Sequence, residues 1–172
     1  MPRNVLRWVA LAIASAAYGG GAFASDPVAR FVSLKADRLD VRAGPGPTHK
    51  VAWVFQRAGL PVEVLGESNG WREIRDVDGA VGWVQARHLS LRRTVIITGI
   101  VTGTTAGVAT VGGIALKARA SDGADTLLLT EPGIVANLVA CDGLWCQVGL
   151  ADIRGFLPQN QLWGVLKGEI VK

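Results

Sequence analysis

The chain has 172 residues, 49% of them hydrophobic, with 18 basic side chains against 14 acidic ones and a formal net charge of +4. The basic residues are scattered rather than striped along one element, which argues against nucleic acid as a partner. Two cysteines are too few for a zinc site, and the two histidines, His49 and His88, stand far from them in sequence.

Residues 1–24 read as a secretory signal peptide. Arg3 and Arg7 form a positive start, Val9 to Ala17 an apolar stretch, and Ala22-Phe23-Ala24 an A-x-A site cleaved between Ala24 and Ser25. Gly19-Gly20-Gly21 interrupts the apolar run, which disfavours a spanning helix, and no cysteine stands at the cleavage point to carry a lipid. The expected destination is the periplasm or the exterior. Without Arg3 and Arg7 the charge falls to about +2, near neutrality. In an exported chain Cys141 and Cys146, which flank a predicted turn, read as a disulfide.

Arg30 to Lys35 is a possible short strand. Leu39-Asp40-Val41-Arg42 alternates with period two, and Gly44-Pro45-Gly46-Pro47 stops that strand in a tight loop. A phosphate cradle is the other reading of these glycines, but His49 stands where a third glycine is needed and no helix pattern follows. Val51 to Gln56 and Val62 to Leu65 are further strands, and Asn69-Gly70 supplies the positive φ of a hairpin that returns as Trp71 to Arg75. Asp76 to Gly79 is a turn, Ala80 to Gln85 a strand, and Ala86 to Leu89 a single helical turn. Short strands punctuated this way predict a small barrel or sandwich.

Thr94 to Leu116 is a stretch without a single charge, and its Gly99, Gly103 and Gly107 stand at G-x-x-x-G spacing, which raises a membrane helix. Five threonines between Val95 and Thr110 and the frequent glycine lower both hydrophobicity and helix propensity. The expectation is a last strand of the first domain at Arg93 to Ile97, then a flexible linker over 98–113.

From Ile114 the first half repeats in degraded form. Leu116 to Ala120 pairs with Leu39 to Ala43, Gly143-Leu144-Trp145 with the turn before Trp71, Gly155-Phe156-Leu157 with Gly82-Trp83-Val84, and Gln161-Leu162 with His88-Leu89. On that alignment Cys141 and Cys146 fall on Glu67 and Arg72, two attractive solutions at one cross-strand location, so the positions are expected to face each other. Ser121-Asp122-Gly123 replaces the Gly-Pro loop, and Phe156 replaces Trp83.

The L-x-V-R-x-G-P-G opening and the G-W-V closing strand resemble the bacterial SH3-like (SH3b) family over residues 36–90, and less fully over 114–164. Leu162-Trp163-Gly164 is also similar to tandem SH3-like exported proteins of alphaproteobacterial type. The resemblance implies an all-β chain of two tandem SH3-like small barrels after the signal peptide, with domains at 25–97 and 114–172. It further implies a cell-envelope binding module for peptidoglycan peptides, with no cofactor. The alternative is a structural or regulatory partner of an envelope protein.

Catalytic chemistry finds little support. Gly66 to Gly70 matches G-x-S-x-G, and Ser68, Asp76 and His88 follow the hydrolase order, but the strand pattern after Gly70 does not suit a nucleophile elbow. Paired cysteines supply no thiolate for a peptidase. The expectation is therefore no catalytic residue, no metal and no membrane span after cleavage. Among the tryptophans, Trp71 and Trp83, together with Arg42 and its loop, are the candidate ligand contacts; filling the core is the competing role.

Overall fold

The computed structural model describes residues 31–99, 101–105 and 108–172. The expected signal peptide, with the cleavage expected between Ala24 and Ser25, and Gly107 lie outside the described residues. Nearly all the described elements are strands; the only helical turns among them are two short 3-10 turns.

The first half runs β1 (Phe31–Leu34), β2 (Leu39–Arg42), β3 (Val51–Phe55), β4 (Pro61–Ser68), β5 (Trp71–Arg75), β6 (Val81–Gln85), a 3-10 turn (Ala86–His88) and β7 (Leu89–Ser90). These strands form one antiparallel sheet in the order β3-β2-β6-β5-β4-β1-β7. Asn69 and Gly70 both take positive φ, 48° and 76°, and so close the β4-β5 hairpin as the sequence predicts. Alternation places Leu39, Val41, Val62, Val64, Ile74 and Val84 in one buried cluster.

The second half runs β8 (Thr94–Ile97), β9 (Val101–Thr105), β10 (Val108–Gly112), β11 (Ile114–Lys117), β12 (Thr126–Thr130), β13 (Val135–Asp142), β14 (Trp145–Leu150), β15 (Ile153–Pro158), a second 3-10 turn (Gln159–Gln161), β16 (Leu162–Trp163) and β17 (Ile170–Val171). Its sheet has the order β12-β11-β15-β14-β13-β8-β16, strand for strand the order of the first, with β17 added on β13. A separate cluster built on Ile114, Leu116, Val148 and Leu157 forms its core. Cys141 and Cys146 are Cα partners across the β13-β14 hairpin and are disulfide-bonded. Glu67 and Arg72 occupy the matching pair in the first half, 3.4 Å apart, as the sequence alignment predicts.

Three expectations need correction. Thr94 to Ile97 does not close the first sheet: it pairs with β13 and β16, as β1 pairs with β4 and β7, so it is the first strand of the second copy. The stretch 98–113 is not a featureless linker, because β9 and β10 pair as a hairpin inserted where the first copy passes directly from β1 to β2. The boundary between copies therefore lies between β7 and β8 rather than at 97. Finally, Lys117 pairs with Phe156 as Arg42 pairs with Trp83, so Leu39 corresponds to Ile114 and not to Leu116. No helix among the described residues is long and apolar enough to cross a membrane.

All four residues of β1 and all four of β8 are buried. A strand buried on both faces needs a cover on each, and here each copy supplies the other's. The Phe31 ring meets Trp163 edge-on at 5.3 Å and lies under the Arg93 guanidinium, and the Thr94 hydroxyl donates to the Gly59 carbonyl at 2.7 Å. Arg92 adds a 2.7 Å hydrogen bond to the Asn137 side chain, and the Ser33 hydroxyl donates to the Arg92 carbonyl.

Candidate functional site

The GPGP loop is folded around His49. A Cβ on Gly44 would stand 2.6 Å from the imidazole, so glycine is needed there for space and not for a positive φ. The Gly46 N–H donates to the Gly44 carbonyl and Ala43 to the Lys50 carbonyl, which closes the loop on itself. Arg42 then ties the loop to the sheet: its Nη1 donates to the His49 carbonyl at 2.7 Å, and its Nη2 stands 4.0 Å from Asp40. The loop is a turn, as the sequence predicts, closed by N–H bonds from Ala43, Gly46 and His49 to carbonyls of its own residues.

Beside this loop lies a cleft of about 320 Å³ on the first half, lined by Arg38, Asp40, Arg42, Trp71, Arg87 and His88 with Leu39 and Gln85. Trp71 opens β5 directly after the Asn69-Gly70 turn and pairs across the ladder with Gln85. The Ala86 N–H donates to the Gly70 carbonyl, which anchors the 3-10 turn and brings Arg87 and His88 to the same rim. Arg87 donates through Nε to His88 Nε2 at 3.3 Å. Three arginines therefore face one aspartate around an indole that is 8% exposed.

Of the residues singled out from sequence, Arg42 and Trp71 come together in this cleft, whereas Trp83 does not line it. Trp83 is the ladder partner of both Arg42 and Glu73, next to the cleft but outside its lining. Sequence reasoning missed Arg38, Gln85 and Arg87. The available signal is positional: Arg38 directly precedes β2, Gln85 ends the G-W-V strand opposite Trp71, and Arg87 lies in the 3-10 turn that follows it.

The other polar residues considered are held elsewhere. The Asp76 carboxylate accepts from the N–H groups of Asp78 and Ala80 within its own turn, and neither Asp76 nor Ser68 lines the cleft that His88 borders. Glu63, buried, is ion-paired with Arg75. Among the described residues no group of three His, Cys, Asp or Glu side chains is placed to hold a metal ion.

Residues 35–90 match the bacterial SH3 domain family. No curated protein matches the chain. Among solved structures it is similar to NlpC2 from Trichomonas vaginalis, at 13% identity and a TM-score of 0.33, covering 81% of this chain and 49% of that one. It is also similar to an NlpC/P60 family protein from Bacillus cereus, at 12% identity and a TM-score of 0.33, covering 77% and 55%. The chain thus spans about half the length of each of these proteins.

Proposed function

We propose that this protein is a non-catalytic binding module of the bacterial envelope, exported to the periplasm or exterior, that holds an extended carboxylate-bearing peptide of the cell wall. The observation that carries the reading is the pairing of Trp71 with Arg38, Arg42 and Arg87 in one cleft. The indole is largely buried and adds little open surface, so the arginines carry the recognition: guanidinium groups recognise carboxylates with two parallel hydrogen bonds. The bacterial SH3 match over 35–90 makes wall peptides the ligand class to test first.

Purified sacculi provide the test. Arg38 and Arg87 are both exposed, so the double variant Arg38→Glu, Arg87→Glu should fold normally and lose most of its retention, and wild-type retention should weaken as salt rises. Equal retention of variant and wild type would overturn the reading.

A second reading, docking on an envelope protein, is favoured by one feature. The edge strand β12 exposes Leu127 at 46% and Leu129 at 67%, an apolar strand edge open to pairing. No retention on sacculi, together with a protein captured in a manner abolished by Leu129→Lys, would favour it.

A further inference from the structure

The second copy carries its own cleft at the matching place, and its chemistry differs. Trp145 corresponds to Trp71: each opens the strand after the hairpin turn, and Trp145 pairs with Pro158 as Trp71 pairs with Gln85. The second cleft, about 710 Å³, is lined by Trp145, Leu144, Val165, Asn160 and Gln161 among others. Following the ladder, Asn160 stands where the first copy has Arg87 and Gln161 where it has His88. Lys117, the counterpart of Arg42, is turned away to the Ala124 carbonyl and the Thr126 hydroxyl and does not line the cleft. One lysine, Lys167, and one aspartate, Asp122, are the charged groups of the lining.

The surface so formed is amphipathic and uncharged on balance. Leu144 is 77% exposed, and Trp145 is more open than the buried Trp71. Asn160 and Gln161 line the cleft with side-chain amides, groups that can both donate and accept. The Asp142 carboxylate accepts from the N–H groups of Trp145 and Leu144, which fixes the turn that presents the indole.

We infer that this second cleft is a binding site for a neutral N-acetylated saccharide ring. A pyranose shows C–H groups on its face and hydroxyls and amides at its edge. An indole matches the face and side-chain amides match the edge. A carboxylate, by contrast, finds no arginine in this lining. The two copies then read two chemically distinct parts of one wall polymer, its charged peptide at Trp71 and its neutral glycan at Trp145. The inference rests on the proposed wall-binding function only for that common polymer.

The test is titration of the full chain with tri-N-acetylchitotriose, followed by the indole N–H resonances of the tryptophans. The sugar should shift the Trp145 resonance and leave Trp71 unmoved, with an affinity unchanged between about 0.05 and 0.5 M salt. Asn160→Ala, at an exposed position, should weaken it roughly three- to tenfold. The double variant Asn160→Arg, Gln161→His, which installs the first cleft's pair, should abolish sugar binding. A Trp145 resonance that does not respond, a response at Trp71 alone, or an Asn160→Ala variant of unchanged affinity would each overturn the inference. Sugar binding at Trp145 with no retention on sacculi would sink the proposed function and leave this inference standing. Retention on sacculi without any sugar response would do the reverse.

Discussion

Gly82 and Gly155 occupy the same place in the two copies, where the closing strand crosses the opening one. A Cβ on Gly82 would stand 2.5 Å from Val41 Cγ1 and 3.1 Å from the Arg42 carbonyl; on Gly155 it would stand 2.5 Å from Leu116 Cγ and 2.9 Å from the Lys117 carbonyl. Backbone cannot yield as a side-chain tip does, so Gly82→Ala is expected to destabilise by about 2–3 kcal/mol in urea unfolding. Glu169 makes a different residue-scale argument. Burial opposes its charge, but hydrogen bonds from Arg93 and the Leu166 N–H, with the Arg93 charge itself, outweigh that and hold its carboxyl below the usual range. A lowered folded pKa gives stability that is full above the unfolded value and is lost as pH falls through the folded one. Acidification below that value should therefore raise hydrogen exchange in β17, and Glu169→Gln should remove this pH dependence. Sequence alone pointed to Arg42, but it did not show that its Nη1 serves the His49 carbonyl. Lys117 donates to Ala124 at the matching place, so part of the role of Arg42 is structural. Such a contact joins residues across a loop, and no local pattern in the sequence records it.

At the scale of the element, most strands were legible, because period-two alternation and turn residues mark them directly: Leu39 to Arg42, Trp71 to Arg75 and the Asn69-Gly70 hairpin all stand where expected. The errors have equally specific causes. A slip of two residues keeps every side chain on its face, so alternation did not distinguish Leu116 from Ile114 as the partner of Leu39. Thr94 to Ile97 follows β7 after only three residues, and adjacency suggested the same sheet, while its true partner β13 begins nearly forty residues on. The strand assignment has a direct consequence. A fragment of residues 91–172 keeps β8 and should give a dispersed β-sheet NMR spectrum. A fragment of 98–172 loses Val95 and Ile97, both fully buried, and strips β13 of a partner. Removing two such side chains costs several kcal/mol, so that fragment should be unfolded by circular dichroism.

For the whole molecule, the question is why two small barrels are packed together rather than strung on a tether. The contact is made by the outer faces of equivalent strands, with Phe31 on one side, Trp163 and Arg93 on the other, and Thr94 bonded across to Gly59. Neither β1 nor β8 is amphipathic, so separating the copies would expose apolar surface on both. The two clefts are thereby held at a fixed spacing, and a ligand engaged at one meets the other at high effective concentration if its own repeat matches that spacing. Phe31→Ala removes the ring that Trp163 and Arg93 contact and should cost about 3 kcal/mol. In wild type the two halves should melt in one calorimetric transition, and in the variant in two. If the fixed spacing supplies avidity, the variant, at temperatures where both sheets remain folded, should bind tri-N-acetylchitotriose as wild type does yet dissociate faster from sacculi. Unchanged dissociation would mean that each cleft works alone and that the packing serves stability only.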